Sequence, residues 1–234
     1  LKAAAEDDRV RVVILTGTDP YYCAGVNLAG TIRLAPPRQL HAMIVEHNQA
    51  LFDMYLDFPK PILVAVNGPA IGASVTSATL CDGIIASEEA TFSTPFAALG
   101  IPPEGCSSVQ FARLMGAENA RRMLGPEGWK PTAREALDAG LIQWVVPHNQ
   151  LATEARKIAL DWIASDAIRG LRGGSEREEL SAVNATESEQ LATAFLSSPF
   201  IAAQFKFLWR KKKWGPALMF LTMLITRPLW ALFL

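Results

Sequence analysis

Little in this chain could cross-link it, hold a metal or bind it to a polyanion. Its 234 residues include only three cysteines, Cys23, Cys81 and Cys106, and three histidines. Scattered cysteines with no C-x-x-C pair give no disulfide framework and point to a reducing intracellular compartment. His41 and His47 fall in one expected helix and His148 lies far along the chain, so no metal site is expected. The formal net charge is −1, and nothing in that balance points to nucleic acid. One scarcity is local. Between Ala90 and Gln110 the only carboxylate or base is Glu104.

Half of the residues are hydrophobic, enough for a sizeable core in one domain with or without an appendage. Val10 to Thr16 reads as a strand ended by Gly17. Arg38 to Phe58 has helical spacing in Leu40, Met43, Ile44, His47, Leu51, Met54 and Tyr55. Pro61 to Val66 is a β-branched apolar run that suits a strand covered on both faces. Short strands follow at Gly83 to Ser87 and Ala90 to Pro95. This strand–helix–strand alternation implies parallel pairing and an α/β fold. Beyond Ser108 helices take over, over Val109 to Met115 and Ala117 to Leu124. Thr132-Ala-Arg-Glu135 forms a capping box for a third, with Gly140 as its stop. Leu141 to Val146 is a last strand. Asn149 to Ser165 and Glu176 to Leu196 are amphipathic helices, the second with a charged face read as solvated.

The chain centres on Val64 to Ser108. Asn67-Gly68-Pro69 turns out of the central strand, and Gly72 to Leu80 is a small, uncharged helix beginning near Gly72 or Ala73. The first N–H groups of a helix lack partners and favour negative charge. Small side chains there would let a ligand oxygen reach the backbone. A tightly packed turn with no ligand is the rival reading. Glu104 follows Pro102-Pro103 and precedes Gly105-Cys106-Ser107-Ser108. In apolar surroundings its proton affinity would rise into the range useful for proton transfer. A carboxylate merely complementing a helix N-terminus is the rival there.

At the tail, Arg210-Lys-Lys-Lys213 precedes an apolar run from Trp214 to Leu234, interrupted by Pro216, Arg227 and Pro228. Basic residues beside interfacial tryptophan fit membrane association. A spanning segment, an interfacial helix, a buried arm at a subunit contact and translated non-coding sequence all stay open. The chain opens on Leu1 without Met, and Leu1 to Asp8 reads as the end of a helix, so an N-terminally truncated core is expected.

Several motifs together resemble the enoyl-CoA hydratase/isomerase (crotonase) superfamily over roughly Val10 to Arg210. They are Tyr22-Cys-Ala-Gly-Val-Asn-Leu28, Pro59-Lys-Pro-Ile-Leu-Val-Ala-Val-Asn-Gly-Pro-Ala-Ile-Gly72, Cys81-Asp82, Ala90-Thr-Phe-Ser-Thr-Pro95, and Thr132-Ala-Arg-Glu-Ala136 with Gly140-Leu141. Thr94-Pro-Phe96 and Pro103 to Ser108 are most similar to the peroxisomal-type Δ3,Δ2-enoyl-CoA isomerases. The resemblance implies a ClpP/crotonase-like α/β spiral of ββα units over residues 1–148. A helical C-terminal trimerisation region would occupy 149–213, leaving 214–234 as an apolar tail. It implies an acyl-CoA substrate in β-oxidation, no separate cofactor, a homotrimer, and a peroxisomal or mitochondrial location. The Ser-Lys-Leu ending of peroxisomal proteins is absent.

By the same resemblance, the backbone N–H groups of Val26 and Ala73 would form an oxyanion hole and Glu104 would be the proton shuttle. The Ala24 carbonyl would meet the CoA adenine. Ala24, Gly25, Asn27, Leu28, Gly72 and Phe96 would contact substrate. Hydratases of the family use two glutamates, and the matching positions hold Thr76 and Phe96. Asn27 stands where the family often has Asp, and the first strand and helix of the family domain are missing before Leu1. Other crotonase reactions, such as thioester hydrolysis, and a non-catalytic acyl-CoA-binding relative are the alternatives.

Overall fold

The structure is a computed structural model that describes residues 1–25 and 35–233. A short helix α1 (Lys2–Glu6) leads to strand β1 (Val13–Thr16) and a long helix α2 (Pro37–Leu56). Next come β2 (Ile62–Val66), β3 (Ala70–Ile71) and helix α3 (Ala73–Thr79). They are followed by β4 (Gly83–Ser87), β5 (Phe92–Ser93), α4 (Phe96–Leu99) and α5 (Ser107–Leu124). The α/β part closes with α6 (Ala133–Asp138) and β6 (Trp144–Val146).

β1, β2, β4 and β6 form one parallel sheet in that order, with Val13 opposite Ile62, Leu63 opposite Gly83 and Ile85 opposite Trp144. β3 and β5 pair in a second parallel sheet, extended by a parallel bridge between Cys23 and Ala70. The turns β2-β3-α3 and β4-β5-α4 thus each add one strand to each sheet and then a helix, which is the expected spiral of ββα units. Strand β2 explains why its sequence is apolar throughout. Ile62, Val64 and Val66 enter the main core, whereas Leu63 and Ala65 face Ile85, Leu151 and Ala155 on the other side. Successive strand residues point to opposite faces, so a strand covered on both must be apolar throughout.

The two helices expected over 109–124 form one element broken at Gly116, whose φ of 80° and ψ of 156° only glycine adopts readily. The capping box forms as expected, with the Glu135 N–H on the Thr132 hydroxyl and the Thr132 N–H on the Glu135 carboxylate. The last four helices are α7 (Leu151–Ala164), α8 (Arg177–Phe195), α9 (Ser198–Arg210) and α10 (Trp214–Trp230). Helix α8 lies along α2, joined by Asn48 to Ser188 at 3.0 Å and by Asn184 to Asp53 at 2.9 Å.

The tail is folded onto the rest. Ala217, Phe220 and Met223 of α10 bury against Ile201 and Leu208 of α9, Leu196, and Leu40 of α2. Arg227 donates to the Leu196 carbonyl at 2.9 Å, which settles its place within an apolar run. Helix α10 has 17 residues, about 25 Å at 1.5 Å per residue. Among the described residues no single helix is long and apolar enough to cross a membrane.

Candidate active site

The turn after β2 is built by its own sequence. Asn67 accepts the Gly17 N–H at 3.1 Å and donates to Asp19 at 2.8 Å and to the Tyr21 carbonyl. It therefore clamps the exit of β1 to the exit of β2. Gly68 lets the two chains touch, since a Cβ there would lie 2.1 Å from the Pro20 carbonyl oxygen. Tyr22 and Cys23 then run beside Pro69 to Ile71, and Ile71 donates to the Cys23 carbonyl at 3.1 Å. Ala24 and Gly25 are brought to the flank of Ile71 and Gly72, with Gly25 at φ 90°. Val26, Asn27 and Leu28 lie outside the described residues.

Gly72 has φ 68° and ψ −130°, a conformation open essentially to glycine alone. Its N–H is bound to the Ser93 carbonyl at 2.8 Å and its carbonyl accepts Val75. The Ser74 hydroxyl is bound to both backbone groups of Ile71. The Ala73 N–H at the first position of α3 has no acceptor among the described residues. Among the described residues nothing lies within 4 Å of a Cβ built on Gly72. A backbone donor without an acceptor among the described residues thus adjoins a glycine with open space beside it.

The turn that carries Glu104 packs beside helix α3, with Cys106 in the same apolar cluster as Ala73. Gly105 and Cys106 both adopt left-handed φ, 65° and 64°, and turn the chain sharply into α5. Gly105 is pressed onto α2 and α3, for its Cβ would lie 2.4 Å from Phe52 and 2.6 Å from the Thr76 hydroxyl. Ser107 holds the Glu104 carbonyl through its hydroxyl at 2.7 Å, and the Cys106 thiol donates to the Leu180 carbonyl at 3.2 Å. Every residue from Gly105 to Ser107 therefore serves to fix the position of Glu104.

One buried acid lies on a helix face expected to be solvated. Glu187, on the face of α8 read as solvated, is only 3 % exposed. Its carboxylate accepts the N–H of Cys106 at 2.6 Å and of Ser108 at 2.9 Å, capping α5 from another helix. The signal lay in the period. Leu180, Asn184, Glu187, Ser188 and Leu191 are all buried, and their spacings of four, three, one and three place them on one helical face.

The two carboxylates differ in their surroundings. Burial, and then the charge of Glu187, push Glu104 up to about 7. Burial also raises Glu187, opposed by its hydrogen bonds from Ser108 and Cys106. Glu104 is thus poised to take and return a proton near neutral pH, while Glu187 is occupied by the helix. Thr76 is buried with its hydroxyl on the Ala73 carbonyl, and Phe96 is buried at the start of α4. Neither supplies a carboxylate. Among the described residues no cluster of His, Cys, Asp and Glu could hold a metal ion. Cavities of about 340 and 150 Å³ lie elsewhere, the first beside Asp82 and Trp162 and the second beside Leu40 and Trp230.

A sequence profile described as enoyl-CoA hydratase/isomerase matches residues 1–203. This chain belongs to that family. It is 39 % identical over 221 residues to enoyl-CoA delta isomerase 2 of Homo sapiens, which covers 91 % of this chain and 55 % of that protein. It is 36 % identical over 219 residues to the peroxisomal enoyl-CoA delta isomerase 3 of Mus musculus, covering 91 % and 68 % respectively. The solved enoyl-CoA hydratase/isomerase from Pseudoalteromonas atlantica T6c superposes with a TM-score of 0.73 at 29 % identity, covering 90 % of this chain and 83 % of that one. The chain spans about half the length of the human relative it matches. Within the family, the Cys81-Asp82 motif has a structural job here. Asp82 accepts the N–H groups of Ile62 and Gly170 at 2.7 Å and pairs with Arg169 at 3.0 Å, tying β2 to the chain ahead of α8.

Proposed function

We propose that this chain converts 3-enoyl-CoA to trans-2-enoyl-CoA, with Glu104 as the single base. The observation that carries the reading is one buried carboxylate, Glu104, raised to about 7, while the second, Glu187, is engaged in capping α5; the Ala73 N–H, without an acceptor among the described residues, is the accompanying donor. Glu104 takes a proton from C2 of the acyl chain, and the electron pair moves onto the thioester oxygen as an enolate. Backbone N–H groups at Ala73 and, by family resemblance, at Val26 hold that oxygen. Losing one such donor typically costs about 10²–10³ in rate. The enolate collapses, C4 takes the proton back from Glu104, and the double bond moves from C3–C4 to C2–C3. No group other than the substrate is consumed.

Hydration needs a second carboxylate to activate water. Thr76 and Phe96 cannot do this, and both oxygens of Glu187 already accept backbone N–H groups. Names of relatives support the same reaction, and one is called peroxisomal. Peroxisomal β-oxidation and a homotrimer built through residues 149–213 complete the reading. The test is product analysis with purified chain and 3-enoyl-CoA. Accumulation of trans-2-enoyl-CoA supports it. A 3-hydroxyacyl-CoA product would make the chain a hydratase, and free CoA with a free acid would make it a thioesterase.

A further inference from the structure

The C-terminal helices carry a surface that the proposed reaction does not use. Helix α10 is apolar on every side, and such a helix is ordinarily covered all round. One side is covered here, through Ala217, Phe220 and Met223. The other is not. Trp214, Leu218, Thr222, Ile225 and Leu229 recur at four, four, three and four residues, which places them on one helical face. Leu232 extends the row in the following turn. Ile225, Leu229 and Leu232 are 68 %, 71 % and 80 % exposed.

The charge is concentrated at one end of that row. Residues 190–234 carry six cations, Lys206, Arg210, Lys211, Lys212, Lys213 and Arg227, and no Asp or Glu. The remainder of the chain has 16 basic residues against 23 acidic ones. Arg210 to Lys213 form the exposed corner between α9 and α10. Lysines at the N-terminus of α10 add to the positive end of its dipole, an arrangement that costs energy unless an anion lies there. Flanking the corner, Trp209 and Trp214 pack edge to face at 4.6 Å, each about half exposed.

We propose that this corner and the outer face of α10 dock on an anionic lipid surface, with α10 lying in the plane of the headgroups. An apolar stripe beside clustered cations, bordered by tryptophan, is the pattern of an interfacial helix. The lysines meet lipid phosphates, while Leu218, Ile225 and Leu229 enter the acyl boundary. Surface attachment of this kind needs no spanning length, in keeping with a helix of 17 residues. It is also independent of the isomerase reading.

The test is co-sedimentation of the full chain with phosphatidylcholine vesicles, with and without phosphatidylserine. Binding is expected only with phosphatidylserine and should weaken as salt rises. A triple Lys211→Glu/Lys212→Glu/Lys213→Glu variant should lose about a hundredfold or more in partitioning, since each cation near such a surface is worth about fivefold. An Ile225→Ser/Leu229→Ser variant should lose at least about tenfold. All five positions are exposed, so circular dichroism should be unchanged. Equal binding to neutral vesicles, or an unaffected triple variant, would overturn the proposal. So would absence of vesicle binding together with a smaller oligomer in the serine variant, which would make a second copy the cover. Retention on polyglutamate without vesicle binding would overturn it in favour of an acidic protein.

Discussion

The carboxylate of Glu187 accepts the N–H of Cys106, two residues beyond Glu104 in the same turn, and its charge raises the proton affinity of Glu104. One acid thus positions the other and tunes it. Glu187→Gln removes the charge and keeps an acceptor oxygen. The midpoint of the acid limb of kcat/KM, which reports the free enzyme, should move below about 7. A role limited to packing would lower activity or stability and leave that midpoint in place.

The same shift gives a stability signature. Glu104 is raised from 4.5 to about 7 on folding, so the folded chain binds more protons between those values than the unfolded one. The stabilisation from holding that proton is fully present below about 4.5 and is lost as pH rises through about 7. Its size is roughly 3 kcal/mol, at 1.36 kcal/mol per unit. Urea unfolding of the parent should therefore show stability falling across this window. In Glu104→Gln the fall should be smaller, with only Glu187 contributing in the same direction.

Gly105→Ala should damage the site through the backbone. A Cβ there meets Phe52 and Thr76 well inside contact distance, and φ is 65°. Overpacking and a left-handed alanine together should cost about 2 kcal/mol or more. The denaturation midpoint should drop, and kcat should fall with it because the turn that aims Glu104 must shift. An unchanged midpoint would mean that Gly105 is not packed as described.

Asp82→Ala tests the structural reading of a family motif. It strips Arg169 of its ion-pair partner in a largely buried setting and frees the N–H groups of Ile62 and Gly170. Breaking one side of a buried pair typically costs about 3–5 kcal/mol. A loss of that order in urea unfolding is expected. A change below about 1 kcal/mol would show that the pair is solvated.

The sequence made local features legible. The apolar run at β2, the glycine at the start of α3 and the capping box at Thr132 each follow from a few neighbouring residues, and each is where the pattern placed it. The raised proton affinity of Glu104 was legible because it is the lone carboxylate of an apolar stretch. Glu187 was not, since α8 is rich in Glu and Ser on several sides and its inward face is chosen by contact with α2 and α5, far off in sequence. Arg227 stood in an apolar run whose role the sequence left open, and it donates to the Leu196 carbonyl. Both cases have one cause, because a charged group in an apolar setting is interpretable only once its distant partner is known.

The most direct test of the account is kcat/KM for 3-enoyl-CoA isomerisation by the parent and by Glu104→Gln. A general base of this kind contributes about 10²–10⁴-fold. An active parent is therefore expected beside a variant reduced by two or more decades, with the fold intact by circular dichroism. Equal rates in the two proteins would contradict it and remove Glu104 from the chemistry.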